Sequence, residues 1–208
     1  MSGVSSDKPG VEHHELVLVR HGETEWSRAR RHTGRTDLPL TRMGELQADA
    51  LVPMLAGRAF ALVLSSPLQR ALDTCRRAGF GDRVQRCDDA LEWDYGVFEG
   101  RLTADIRDEI PGWSVWTHPV TGGESVEEVG ARADRIIATA NATEGDVLLF
   151  AHAHLLRVLT ARWLGLEPNR GRSFVLDTAS VSVLSHERGE PVVSRWNDPG
   201  RPETGRVT

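Results

Sequence analysis

The sequence predicts an α/β domain with a mostly parallel central sheet and helices on both faces. Three short apolar runs, at residues 15–20, 61–66 and 146–152, have the form of buried parallel strands because both of their faces are apolar. Segments with helical periodicity separate and follow these runs. Strands that alternate with helices usually pair in parallel, so one layered α/β unit is expected.

Four segments have helix signals at their first residues. Thr41 is a candidate cap, Pro67 a candidate first-turn residue, and Ser125 with Glu128 form a candidate capping box. These signals predict helices at 41–55, at 67 to about 78, and at 125 to about 140. A fourth helix is expected after His152, with apolar residues through Trp163.

The remaining segments define the ends of the domain. Residues 178–196 predict a closing hairpin with its turn at residues 188 and 189, and residues 83–87 a further short strand. Residues 1–14 and 197–208 are polar and contain glycine and proline, which is typical of flexible tails. The single domain is therefore expected at 15–196.

Composition excludes several classes of function. The net charge is −5 and no basic block is present, so neither nucleic acid nor an anionic membrane is an expected partner. The first residues lack a signal peptide, and Cys75 and Cys87 are expected to be reduced, which predicts a cytoplasmic protein. Lys8 is the only lysine, so any phosphate site must be built from arginine and histidine.

Polar residues follow the predicted strands where ligands bind to sheets of this kind. Arg20 and His21 end the first strand, Arg70 follows the second, and His152 ends the third. Glu92 opens a further segment, EWDYG, after the short strand at 83–87. Two arginines and two histidines that converge would repel one another without an anion, so the cluster predicts a bound dianion.

These motifs resemble those of the histidine phosphatase superfamily, in its phosphoglycerate mutase-like branch. RHGET at 20–24 is similar to the segment with the family's phosphorylated histidine, and SSPLQRALDT at 65–74 to its second arginine motif. EWDYGVFEG at 92–100 resembles the proton-donor segment, and AHAHLLR at 151–157 the second-histidine segment. TGRTDLPLTRMG at 33–44 and GGES at 122–125 are also similar to family segments.

The resemblance implies a role for each matching residue. His21 would be the nucleophile, Glu92 the proton donor, and Arg20, Arg70 and His152 the phosphate ligands, with His152 also counted as catalytic. Residues expected to contact the substrate are Ser27, Thr33, Gly34, Tyr95 and His154. Phosphoryl transfer needs an in-line nucleophile and positive charge around the phosphate, which this set supplies if His152 is protonated and His21 neutral.

Two positions depart from the family pattern. Ser27 stands where many relatives have asparagine, and Ala153-His154 where many have Gly-Gly or Gly-His. The spacing of His152 and His154 could suit a metal, but no carboxylate or cysteine cluster stands beside them in the sequence. The sequence therefore predicts neither a metal nor a cofactor.

The interval between Glu92 and His152 favours hydrolysis. It is short, and its Arg101, Arg107, Arg132 and Arg135 do not form the paired-arginine motif of family mutases. The EWDYG segment followed by WTHP and GGES resembles the subgroup of broad acid phosphatases and sedoheptulose- or fructose-bisphosphatase-like enzymes. The resemblance implies a small phosphate ester of a sugar or glycerate as the substrate. The alternatives are a cofactor-dependent phosphoglycerate mutase and a non-catalytic phospho-ligand binding module; a homo-oligomer is left open.

Overall fold

A mixed six-stranded sheet forms the centre of the part of the chain that the computed structural model describes, residues 14–199. Its strands are β1 (Leu16–Arg20), β2 (Phe60–Ser65), β3 (Gln85–Arg86), β4 (Asp146–Ala151), β5 (Val181–Glu187) and β6 (Glu190–Asp198). They lie in the order β3-β2-β4-β1-β5-β6. The first four strands are parallel to one another, β5 is antiparallel to β1, and β6 is antiparallel to β5. The predicted mostly parallel sheet is confirmed.

Seven α-helices connect or flank these strands within the described range. They are α1 (Glu25–Arg28), α2 (Arg42–Asp49), α3 (Leu51–Leu55), α4 (Gln69–Cys75), α5 (Thr103–Glu109), α6 (Val126–Asn141) and α7 (Ala153–Trp163). The caps at Thr41 and Ser125 form as predicted, and the latter is a full capping box with Glu128.

Two predicted helix boundaries were wrong. The helix expected at 41–55 is divided at Ala50, because Pro53 has no N–H to donate to the carbonyl of Asp49 one turn earlier. The helix expected from Pro67 begins at Gln69, whose N–H donates to the Asp37 carboxylate at 2.8 Å and so satisfies a free group of the first turn.

The closing hairpin forms with its turn at Arg188 and Gly189, which both have positive φ. Its second strand continues through Asn197 and Asp198, two residues assigned above to the C-terminal tail. Asn197 is held there because its N–H donates to Ser182 Oγ at 3.0 Å and its side-chain oxygen accepts from Asp177 N at 2.6 Å. His14 and Pro199, also assigned to the tails, belong to no helix or strand, and the remaining tail residues, 1–13 and 200–208, lie outside the described residues.

Alternate residues of β1 pack on opposite faces of the sheet. Leu16 and Leu18 belong to a core with helices α6 and α7, whereas Val17 and Val19 pack with α3 and the segment after α4. Both faces are thus covered, as the apolar strands predicted. None of the helices within 14–199 has the length and apolar character needed to cross a membrane.

Candidate active site

A cavity of about 850 Å³ lies beyond the carboxyl ends of β1 and β4. The strand ends are joined there, since His21 N donates to the carbonyl of Ala151 at 3.0 Å and Ser66 N to that of Phe150 at 2.9 Å. Seven of the predicted site residues line the cavity: Arg20, His21, Ser27, Thr33, Glu92, Tyr95 and His154. The parallel sheet brings these distant segments to one place.

His21 is held as a neutral imidazole. Its Nδ1 lies 2.7 Å from the carbonyl oxygen of Gly22, which can only accept, so Nδ1 carries the proton and Nε2 has a free lone pair. Burial lowers the pKa of His21 well below its usual value, and the nearby Arg70 and Arg20 guanidiniums lower it further. The residue meets the requirement that a nucleophilic histidine be unprotonated.

Gly22 must be a glycine for this geometry to form. A Cβ at this position would lie 2.4 Å from the carbonyl oxygen of Gly44, which is backbone and cannot move aside cheaply. The Gly22 N–H also donates to Thr74 Oγ1 at 3.0 Å, which ties the turn after β1 to helix α4. The RHG triplet therefore fixes the orientation of His21 through its own backbone.

Arg20 has an unused hydrogen-bond donor. One terminal nitrogen donates to the carbonyl of Leu176, but the buried Nε has no hydrogen-bond partner among the described residues. Burial lowers the pKa of Arg20, while the carboxylates of Glu92 and Asp177 partly offset that effect. A guanidinium with a free donor at the cavity wall is suited to an anion.

Arg70 and His152 are fully buried and are not among the residues that line the cavity. Arg70 Nε donates to His152 Nδ1 at 3.2 Å, and its terminal nitrogens donate to carbonyls of the 33–36 loop. His152 Nε2 lies 2.7 Å from Ser66 Oγ, and its ring centroid lies 5.2 Å from that of His21. His152 thus packs next to His21, and Arg70 is hydrogen-bonded to His152.

His152 is neutral in this structure, so it does not yet meet the condition under which it would add a positive charge. Its Nδ1 accepts from Arg70, so this nitrogen holds no proton. Burial lowers the pKa of His152 well below its usual value, and Arg70 and His21 act in the same direction. Placing two guanidiniums beside two histidines is tolerated here because the histidines are uncharged.

Glu92 is anchored by three backbone donors. Its Oε1 accepts from Trp93 N at 3.0 Å and from Leu155 N at 2.9 Å, and its Oε2 accepts from His154 N at 3.1 Å. Two of these donors belong to the first turn of α7, whose free N–H groups are thereby satisfied. The side chain is only 3% exposed and lines the cavity.

Tyr95, which is buried, and the partly buried His154 and His32 form a polar cluster at the cavity. The Tyr95 hydroxyl lies 2.6 Å from His154 Nδ1, and burial raises the pKa of Tyr95 well above its usual value, so the hydroxyl keeps its proton and donates. Burial also lowers the pKa of His154 well below normal and that of His32 to about 4. His154 therefore carries its single proton on Nε2.

The remaining predicted contact residues differ in their positions. Ser27 lines the cavity, but its hydroxyl exchanges hydrogen bonds with the backbone of Thr24 in the cap of α1. Thr33 also lines it, and its hydroxyl donates to the Arg31 carbonyl at 3.1 Å. Gly34 does not reach the cavity, because its N–H donates to the Glu99 carboxylate and a Cβ would strike the Trp93 carbonyl at 2.4 Å.

Several lining residues were not predicted as site residues. They include Arg30, Arg31, His32, Arg107, Trp113 and Asp177. The basic run at 30–32, which follows the RHGET segment closely, was a usable signal. Asp177 had none, since its placement depends on β5 running antiparallel to β1. Residues 14–199 contain no cluster of three or more metal-ligating side chains.

Comparison with known proteins gives one consistent family. The histidine phosphatase superfamily (branch 1) matches residues 16–199. An acid phosphatase of Mycobacterium tuberculosis is 41% identical over 185 residues, which are 86% of this chain and 90% of that protein. A sedoheptulose 1,7-bisphosphatase of Saccharomyces cerevisiae is 35% identical over 184 residues, and the match covers 72% of this chain and 67% of that protein.

The fold is likewise similar to solved structures. The structure of an open reading frame product of Mycobacterium tuberculosis superposes with a TM-score of 0.86 at 38% sequence identity. The match covers 90% of this chain and 99% of the other.

Proposed function

We propose that this chain, which belongs to branch 1 of the histidine phosphatase superfamily, hydrolyses small phosphate monoesters of sugars or glycerate through a phosphohistidine at His21. The observation that carries the proposal is the tautomer of His21, whose Nδ1 donates to Gly22 and leaves Nε2 as a nucleophile in a cavity with Arg20 and Glu92. The names of the two curated relatives, both phosphatases, support the hydrolase assignment.

In the first step, Nε2 of His21 attacks phosphorus while the bond from phosphorus to the ester oxygen breaks. Glu92, in its protonated form, gives its proton to the departing oxygen, which leaves as an alcohol. The three backbone donors around Glu92 fix the carboxyl group at the cavity wall for this transfer. The product of the step is phospho-His21.

In the second step, water replaces the alcohol in the cavity. Glu92, now a carboxylate, accepts a proton as the water oxygen bonds to phosphorus, and the bond from phosphorus to Nε2 of His21 breaks. Free phosphate leaves, and both residues return to their starting protonation states. The net reaction is one ester and one water to one alcohol and one phosphate.

We assign the direct phosphate contact first to Arg20, because its Nε is buried and without a partner. Arg70 and His152 contribute as a hydrogen-bonded pair next to His21 that carries one positive charge. Contact by these two requires exchange of existing partners, a loop carbonyl for Arg70 and Ser66 Oγ for His152, against phosphate oxygens. A phosphate dianion favours that exchange because its hydrogen bonds to these residues are charge-assisted and therefore stronger than the ones they replace.

The test is turnover of p-nitrophenyl phosphate by the purified protein, with rapid quenching under conditions that spare phosphohistidine. We expect label from a ³²P substrate on the wild-type protein and on a His118→Ala control, since His118 does not line the cavity. His21→Ala should lose both label and turnover. Normal turnover in His21→Ala would exclude the mechanism, and no turnover in the wild type would exclude the hydrolase assignment for this substrate class.

A further inference from the structure

Three arginines at the cavity have no carboxylate partner within the described range. Arg30 forms no side-chain hydrogen bond there, Arg31 donates only to the Gly100 carbonyl at 2.8 Å, and Arg107 only to the Trp113 carbonyl at 2.8 Å. Arginines elsewhere on the surface, such as Arg135, are commonly held in ion pairs. The cavity therefore carries positive charge that the protein itself does not neutralise.

Two segments of the fold supply these arginines to the cavity lining. Arg31 forms an isolated antiparallel bridge with Leu102, the residue that precedes α5, and Arg107 lies on α5 itself. Arg30 precedes Arg31 and has a positive φ of 57°, a backbone conformation that residues other than glycine seldom adopt. Because Arg31 pairs with Leu102, the segment that leads into α5 lies next to residues 30 and 31, and both segments contribute arginines to the cavity lining.

A buried indole N–H without a partner in the described range belongs to another residue of the cavity lining. Trp113 is 1% exposed and lines the cavity, yet its indole N–H has no hydrogen-bond partner among the described residues. A buried N–H without a partner is unfavourable, so such groups usually meet water or a ligand. The Trp113 carbonyl already holds Arg107, which places the free indole donor on the residue that positions this guanidinium.

The carboxylates that line the cavity do not cancel these charges. They are Glu92 and Asp177, and both act electrostatically on Arg20, at the His21 end. Asp177 is further engaged by the Asn197 side-chain amide at 3.0 Å. The cavity therefore has one cationic group beside the nucleophile and a second cationic group, Arg30, Arg31 and Arg107, without a counter-charge.

We propose that Arg30, Arg31 and Arg107 form an outer anion subsite that binds a second anionic group of the substrate, a phosphate or a carboxylate. The inference rests on the proposed function, since it takes the phosphate beside His21 as the reacting one. A volume of about 850 Å³ is within the range of pockets that hold whole small-molecule ligands, so both groups can be accommodated together. The preferred substrates are phosphate monoesters with a second anion.

The experiment compares matched substrates that differ only in the second anion. Fructose 1,6-bisphosphate against fructose 1-phosphate tests a second phosphate, and 3-phosphoglycerate against glycerol 3-phosphate tests a carboxylate. The measured quantity is the ratio of kcat/KM within each pair, for the wild type, for each Arg→Gln variant, and for the triple variant of Arg30, Arg31 and Arg107. Arg170→Gln is the matched control, because Arg170 is exposed and does not line the cavity.

We expect the wild type to prefer, in at least one pair, the substrate that carries the second anionic group. Each single variant should lower that ratio by up to about 5-fold, the upper range for an exposed ion pair, and the triple variant by about 10²-fold. Salt should lower the ratio in the wild type more than in the triple variant, because exposed charges are screened. Arg170→Gln should leave the ratio unchanged.

Two results would overturn the subsite: ratios near one for both pairs in the wild type, or an unchanged ratio in the triple variant. Wild-type turnover of p-nitrophenyl phosphate separates this failure from a failure of the proposed function, since that ester has no second anion. If no ester is hydrolysed, calorimetric binding of fructose 1,6-bisphosphate to the wild type and the triple variant still tests the subsite. Equal affinities would exclude it.

Discussion

Replacing Glu92 with glutamine is the perturbation that most directly tests the proposed proton transfer. Glu92 Oε1 accepts two backbone hydrogen bonds, and Oε2 accepts one from His154 N at 3.1 Å. A glutamine carbonyl can take over the two bonds to Oε1, but its NH₂ group would then face the His154 N–H, which is also a donor. The substitution removes both a titratable proton and one buried hydrogen bond.

The two losses have different magnitudes. Leaving a buried donor unpaired costs about 1–3 kcal/mol of unfolding free energy, which a folded domain usually survives. Loss of a general acid typically slows a reaction by about 10²–10⁴-fold. We therefore expect Glu92→Gln to be a folded protein of reduced stability whose reaction with alkyl phosphates is slower by that factor.

The assay separates the two halves of the cycle with two leaving groups. The alkoxide of a sugar phosphate needs a proton in the transition state, whereas p-nitrophenolate needs far less, so phosphoenzyme formation from p-nitrophenyl phosphate should be much less affected. If Glu92 also activates water, dephosphorylation slows as well, and phosphoenzyme should accumulate as a burst of p-nitrophenolate. Asp94→Asn is the control, because Asp94 does not line the cavity.

The reasoning would be refuted by equal slowing of phosphoenzyme formation from both substrates with no burst. Loss of activity toward alkyl phosphates in Asp94→Asn, with Glu92→Gln intact, would move the proton donor to Asp94. Denaturant unfolding of each variant shows whether a kinetic change follows stability. If Glu92→Gln does not fold, Glu92→Asp is assayed instead. This variant keeps the carboxyl group on a side chain that is shorter by one methylene, so the misplaced acid should still slow alkyl phosphates more than p-nitrophenyl phosphate.

Three further outcomes are expected. Because burial lowers the pKa of His32 from 6.5 to about 4, the unfolded chain binds more protons at this residue than the folded chain below about pH 6.5. His32 alone should therefore lower the unfolding free energy by up to about 3 kcal/mol between pH 6.5 and 4, in addition to the other buried histidines, and the fall measured by denaturant titration should be smaller by about that amount in His32→Gln. EDTA should leave the hydrolysis rate unchanged and vanadate should inhibit it, whereas loss on chelation with recovery on addition of one metal would contradict a metal-independent mechanism. Free phosphate should form from 3-phosphoglycerate without a bisphosphate primer; formation of 2-phosphoglycerate alone, and only with primer, would instead indicate a mutase.

Local sequence patterns predicted most of the helices and strands. Apolar runs at β1, β2 and β4 and the capping box at Ser125 are each contained in a few consecutive residues. Boundaries that depend on distant partners were not predictable in the same way. The start of α4 depends on Asp37, and the extent of β6 depends on Ser182.

The candidate site shows the same division. Positions at strand ends, such as His21, converge because parallel strands end at one edge, and a sequence pattern is enough to place them. The roles of loop residues depend on which backbone groups they meet, and no spacing rule gives this information. Gly34 is an example: its carbonyl accepts a hydrogen bond from Arg70 and its N–H donates to Glu99, so it does not face the cavity.

The protonation state of His152 links the fold to the proposed reaction. Repulsion among two arginines and two histidines was the sequence argument for a bound dianion, but the structure relieves it by keeping both histidines neutral. A phosphate dianion beside His152 would oppose the effects of Arg70 and burial and raise the pKa of that imidazole. Positive charge at His152 is therefore expected to follow phosphate binding, so that His21 remains an unprotonated nucleophile before the substrate arrives.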